Sequence, residues 1–225
     1  MPEITHDLSE VQLTYDQATQ LELNTRNQSE NDNWHKERKT RLTASNFGRF
    51  MLRKAPVTKK LVDSICNPKP FSSKPTSYGH CSENIAKTMY RNKTNNHVHD
   101  CGLVVNPAFP YLGASPDGKV CDGGIAGILE VKCPFLLRDM KFLEALQNVS
   151  LKTKICLEKI GENIQLKENH VYWFQVQGQL LVTGAAFCDF VVYTRQDLLI
   201  QRIVPNVPVM KSIIDKMSEV FNNFL

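Results

Sequence analysis

The chain has 225 residues, 42% of them hydrophobic and 22% charged, a globular balance that excludes a disordered, collagen-like or coiled-coil protein. No apolar run approaches the ~18 residues of a membrane span, and the first thirty residues are polar and acidic rather than leader-like. Seven cysteines without a CxxC pair fit a reduced, intracellular protein, nuclear or cytoplasmic, expected as one domain over 1–225.

The net charge of +4 is unevenly placed. Residues 1–33 hold seven acids against the single base Arg26, whereas residues 36–60 hold nine bases against the single acid Glu37. A basic block of that density attracts polyanions such as nucleic acid, and is also readable as a solvated helix face.

In chain order, residues 1–12 read as loosely held, and 14–26 as a helix spaced by Tyr15, Ala18, Leu21 and Leu23. A short helix runs from Asn33 through Trp34 to Lys39, with Trp34 expected as a core anchor or an aromatic wedge at a duplex end. Thr43 or Ser45 caps a helix carrying Phe47, Phe50 and Met51, which Pro56 ends, and Thr58 caps another over 59–66. Residues 67–77, with three prolines and three serines, read as a flexible surface loop, followed by a helix over 78–92. Short β-type runs occupy 102–106, 111–115, 119–121 and 125–133. Helices return at 138–147 and 169–182, strands at 189–194 and 198–204, and a helix from Val209 closes the chain. This order predicts an α/β (α+β) domain with a mixed central β-sheet flanked by helices.

The densest signal lies between Gly113 and Pro134. Asp122-Gly123-Gly124-Ile125 reads as a two-residue hairpin turn, because paired glycines accept the positive φ such turns need. Cross-strand partners then sum to 247, which places Asp117 opposite Glu130 with Cα atoms about 4.5–5.5 Å apart. Lys132 shares that face, while Leu129, Val131 and Cys133 point into the core. Two opposed carboxylates repel, and a divalent cation with hard oxygen ligands, Mg²⁺ or Mn²⁺, would relieve the repulsion. The same residues also fit a surface hairpin with a plain Glu130–Lys132 or Asp117–Lys132 ion pair.

Five phrases resemble, in order, blocks of the lambda-exonuclease and YqaJ viral recombinase family, which has the restriction-endonuclease-like PD-(D/E)xK nuclease fold. They are Trp34-His35-Lys36 with Arg38 and Leu42-Thr43-Ala44-Ser45, Tyr78-Gly79 with Glu83, Leu112 to Gly118 around Asp117, Leu129-Glu130-Val131-Lys132-Cys133-Pro134-Phe135, and Gln175-Val176-Gln177. The resemblance covers 34–194. It implies Asp117, Glu130 and the main-chain carbonyl of Val131 as ligands of Mg²⁺ (or Mn²⁺), with Glu83 reaching a second ion or a bridging water. It further implies Lys132 at the attacking water or the phosphate, Gln175 orienting that lysine or the phosphate, and Arg38 with Ser45 anchoring a terminal 5′-phosphate. Gln177 is the weaker of the two glutamines, being turned ~200° from Gln175 on a helix.

The implied activity is a Mg²⁺-dependent deoxyribonuclease, a 5′→3′ exonuclease on duplex DNA ends serving recombination or end processing. The implied partners are DNA, a single-strand annealing protein and a homo-trimeric ring. An endonuclease or single-strand-preferring enzyme of the same fold, and a non-catalytic DNA-binding module, stay open. Residues 102–115 hold no acid, so the further carboxylate that some relatives carry there is missing, and Asp100 lies just outside.

Overall fold

The computed structural model describes residues 7–68 and 73–225. Element order is α1 (Tyr15–Asn24), α2 (Asp32–Lys39), β1 (Leu42–Thr43), α3 (Ala44–Met51), α4 (Lys59–Cys66), α5 (Lys74–Thr94), β2 (His97–His99), β3 (Leu112–Gly113), β4 (Gly118–Asp122) and β5 (Ile125–Lys132). There follow α6 (Phe142–Gln147), β6 (Leu157–Ile160), β7 (Asn163–Leu166), α7 (Val171–Thr183), β8 (Cys188–Tyr193), β9 (Leu198–Ile203) and α8 (Val207–Phe224).

The central sheet runs β2-β4-β5-β8-β9; only β5 and β8 are parallel, because α6, the β6–β7 hairpin and α7 intervene between them. A mixed sheet flanked by helices is what the element order predicted. Gly123 and Gly124 take φ of +56° and +85°, and the register from Asp122↔Ile125 to Gly118↔Leu129 is the one the turn dictated.

Both faces of the sheet are covered. On one, Leu129, Val131 and Val191 pack with Ala86 and Tyr90 of α5. On the other, Ile128, Cys188, Phe190 and Val192 pack with Trp173, Val176 and Leu180 of α7. A third core joins Phe47 and Phe50 of α3 to α4 and α8. Gly48 makes the α3–α7 approach tight, since a Cβ there would sit 2.5 Å from the Val171 Cα.

Helix α5 is clamped through a buried acid. Asp189 on β8 accepts from the Tyr90 hydroxyl at 2.5 Å and from Arg202 at 2.8 and 2.9 Å. Glu83, Ala86 and Tyr90 follow helical i, i+3, i+7 spacing, so the clamp also sets the face carrying Glu83.

Several expectations change. Helix α5 starts four residues earlier than predicted, because Ser73 and Thr76 form a capping box and Pro75 sits in the first turn, where its missing N–H costs nothing. Residues 69–72 of the expected loop, and 1–6 of the expected loose start, lie outside the described residues. Val11, within that start, is buried, and its carbonyl receives Arg41. The run 102–106 forms no strand, only the bridge Val104↔Ala114. Helix α6 begins at Phe142 rather than 138. The edge strand β2 and the β6–β7 hairpin, turning at Gly161 (φ +59°), were not predicted.

Helix α1 buries Ala18 and Glu22 rather than Tyr15 and Leu23. Glu22 accepts from Arg26, from the Gly102 N–H at 2.9 Å and from Lys119 at 2.9 Å. Burial pushes its carboxyl up, but those three donors outweigh it and hold the pKa below the ordinary value of 4.5. Among the described residues no helix is long and apolar enough to cross a membrane.

Two outcomes follow. Gly48→Ala should cost about 1–3 kcal/mol by overpacking against Val171, read as a lowered Tm; an unchanged Tm would mean that α3 and α7 can move apart freely. Because folding lowers the Glu22 pKa, its contribution is full at neutral pH and fades as pH falls through and below 4.5. Glu22→Gln should therefore cost about 1–3 kcal/mol at pH 7, and its denaturation curve should converge with wild type towards pH 3. Parallel curves across that range would reject the linkage.

Candidate active site

The centre of the site is Glu130, which alternation along β5 places on the α7 side of the sheet between Ile128 and Lys132. Its side chain is 2% exposed, so this is not the open face expected of a surface hairpin. Burying a carboxylate here requires donors. Oε1 accepts from Lys132 Nζ and from Gln175 Nε2 (2.5 Å), and Oε2 accepts from Gln179 Nε2 at 2.6 Å. Gln175 and Gln179 lie one turn apart on α7. Gln177 faces away, its amide bonding the Val204 carbonyl and the Asn206 N–H, which separates the two glutamines as helical geometry had suggested.

Asp117 arrives from the start of β4, but not in strict opposition to Glu130. The ladder slips at this residue: its N–H donates to the Leu129 carbonyl, and Oδ2 accepts from the Val131 N–H at 2.7 Å. The carboxylate thereby stays beside β5. Its pKa is raised well above the usual range, first by burial, then by the negative charges of Glu130 and Glu83, with Lys132 and the Val131 N–H only partly offsetting them. Glu83, on the sheet-facing side of α5, is ion-paired to Lys87 at 2.6 Å.

Lys132 lies between Glu130 and the Tyr172 ring, 4.7 Å from its centroid. Burial disfavours its charge, but Glu130 and Asp117 more than compensate and raise its pKa above 10.5. The Glu130–Lys132 ion pair of the plainer sequence reading thus exists, inside this cluster rather than on a bare surface. An open cleft of about 350 Å³ runs alongside, lined by Thr76, Glu83, Val131, Lys132, Pro134 and Tyr172. Neighbouring Cys133 has its thiol pushed up to about 12 by burial and by the charges of Glu83 and Asp117, which disfavours the thiolate.

As the side chains stand, no three His, Cys, Asp or Glu residues among the described residues converge to metal-holding spacing. The first expected position takes two carboxylates and a carbonyl, with Glu83 at a second, and this chemistry fits a hard divalent cation: oxygen donors, with an acid whose pKa is raised by burial and then by like charges.

Arg38 and Ser45 form a separate grouping. The Arg38 guanidinium lies 4.1 Å above the Trp34 ring and reaches Ser45 Oγ at 3.4 Å, while Trp34 Nε1 donates to Ser115 Oγ at 2.8 Å. Trp34 is therefore a platform for Arg38 rather than a core anchor. Burial alone draws the Arg38 pKa down to about 10, and among the described residues no carboxylate pairs with it. Ser115 stands two residues before Asp117 and ties this grouping to the acids. It was missed, as was Gln179, although its i+4 spacing from Gln175 was visible. Arg41, counted in the basic block, is instead a strut, 4% exposed and bonded to Glu37 and to the carbonyls of Val11 and Pro110.

Residues 33–186 match the model of the YqaJ-like viral recombinase domain. LHK-Exo, an alkaline exonuclease from Laribacter hongkongensis solved in complex with dAMP, superposes with a TM-score of 0.62 at 25% identity, over 84% of this chain and 89% of that one. The Shutoff and Exonuclease Protein of Kaposi's sarcoma-associated herpesvirus shares the fold at 12% identity, with a TM-score of 0.59 over 93% of this chain and 73% of that one. Uncharacterized protein R354 of Acanthamoeba polyphaga mimivirus is 30% identical over 139 residues, 58% of this chain and 22% of that protein. The chain thus spans about a fifth of the viral relative's length.

If the acids repel as described, Asp117→Asn in metal-free buffer should leave stability unchanged or raise it by about 1 kcal/mol, since the amide keeps an acceptor for Val131 and removes a like charge. A loss of stability in chemical denaturation would show that the Asp117 charge is structurally required.

Proposed function

Since the chain belongs to the YqaJ-like viral recombinase domain family, we propose that it is a divalent-metal-dependent DNA nuclease, and specifically one that removes nucleotides in the 5′→3′ direction from duplex ends. The observation that carries this reading is the closeness of Asp117 to Glu130, Glu83 and Lys132, whose charges all act on it, beside an open cleft that Glu83 and Lys132 line. Likeness to the alkaline exonuclease of Laribacter hongkongensis, whose structure holds dAMP, supports DNA as the substrate class.

Asp117, Glu130 and the Val131 carbonyl would hold Mg²⁺ or Mn²⁺, with Glu83 at a second position, and the ion would supply water activated near neutral pH and neutralise the leaving oxygen. Lys132, kept cationic by Glu130 and Asp117, is placed to stabilise charge growing on the phosphate. Its contact with Tyr172 and its bond to Glu130 limit where the ammonium can go, so little reorganisation is needed when charge develops. Gln175 bonds Glu130 directly, which makes it an orienting group for that carboxylate rather than for the lysine.

Polarity rests on the second grouping. A guanidinium stacked on Trp34 without a carboxylate, a hydroxyl in the first turn of α3 and a second hydroxyl on Ser115 would be donors suited to a terminal phosphate. Exposed Arg49, Arg53, Lys54 and Lys60 on and after α3 would follow the DNA backbone without reading sequence.

A time course on duplexes labelled separately at each end, with and without a 5′-phosphate, tests these assignments. Mg²⁺-dependent mononucleotide release from the 5′ end is expected. Lys132→Ala should reduce it at least ~100-fold, and Arg38→Ala should slow the 5′-phosphorylated substrate more than the unphosphorylated one. Release from the 3′ end, or internal nicks, would overturn the polarity. Salt-sensitive binding without hydrolysis, indifferent to Mg²⁺, would favour a non-catalytic module.

A further inference from the structure

Gln179 belongs to none of the motifs above, yet it contacts the most buried acid of the site. Its side chain is 1% exposed, and its Nε2 donates to Glu130 Oε2 at 2.6 Å. An ionised carboxylate only accepts hydrogen bonds, so the amide must present its NH₂ and turn its own oxygen away. That oxygen, Oε1, is buried and has no hydrogen-bond partner among the described residues.

An unpaired buried acceptor costs about 1–3 kcal/mol. Methionine would fill nearly the same volume on α7 without an orphaned acceptor of its own but would take the donor from Glu130 Oε2, so the glutamine serves that carboxylate rather than packing. Its donor divides the work on Glu130. Gln179 holds Oε2, while Oε1 is shared by Gln175 and Lys132 on the side of the cleft. One oxygen is thus anchored from the helix, and the carboxylate plane is set before any cation arrives.

We infer that Gln179 is a positioning residue, acting through Glu130 to hold the carboxylate in the orientation a divalent cation requires. This rests on the cation site proposed above. Removing a group that orients a metal ligand commonly costs 10–100-fold in metal affinity, and it leaves DNA contacts untouched because the Gln179 side chain is buried on the Glu130-facing side of α7.

The test is titration calorimetry of the full chain with Mn²⁺, on wild type, Gln179→Met and Gln179→Asn, beside circular dichroism and DNA binding measured in EDTA. Wild type should take up Mn²⁺. Gln179→Met should fold with a Tm lowered by several degrees through loss of the Oε2 donor, bind DNA as wild type does, and bind Mn²⁺ at least ~10-fold more weakly. Gln179→Asn, which keeps the amide but falls one methylene short, should also lose affinity, and it decides the matter if the methionine variant does not fold. A folded variant binding Mn²⁺ within about twofold of wild type would overturn the role of Gln179 alone. Absence of Mn²⁺ uptake by wild type would overturn the cation site, and this inference with it.

Discussion

A carboxylate buried in the middle of a hydrophobic sandwich is the constraint on which the rest depends. Glu130 sits on the strand that forms both an antiparallel and a parallel ladder, with Phe190 opposite it on β8 and helix α7 above. Leaving such a group charged without partners would cost several kcal/mol. The fold meets that demand with three donors from two directions: Lys132 from the same strand face, and Gln175 and Gln179 from the helix. The close approach of α3 to α7 and the Asp189 clamp on α5 fix the helices on the two faces of the sheet, and with them the distances at which these donors and Glu83 can act.

The site is held against electrostatic preference. Asp117 would be easier to bury if Glu130 and Glu83 were absent: burial raises its pKa first, and their charges raise it further. The slip of the ladder at Asp117 brings its carboxylate onto the Val131 N–H, a backbone donor that keeps it beside β5 despite the repulsion. Strain of this kind is tolerable where surrounding packing is strong, and Leu129 at 0% exposure and Val131 at 6% lie on the opposite face of the same strand.

The basic segment shows how little a charge count says about use. Arg41 is consumed in joining α2 to the chain start and to residue 110, and Lys59 bonds the Phe224 carbonyl at the end of α8. Arg38 differs from both, since it is stacked on Trp34 and, among the described residues, paired with no acid. One run of like charges thus divides into struts, solvated groups and one guanidinium held on an aromatic ring.

What could be read from the chain alone were the short-range features. The Gly123-Gly124 turn fixed the hairpin register because turn chemistry involves adjacent residues, and helical spacing put Gln175 and Gln177 on different sides of α7. The order of blocks was enough to identify the family and the mixed sheet. The tertiary structure alone decided that both faces of β5 would be covered, that Trp34 supports Arg38, that Arg41 is a strut, and that Gln179, 49 residues from Glu130, completes its hydrogen bonding. Burial and partner choice depend on which distant element packs on a strand, and alternation along that strand carries no record of it.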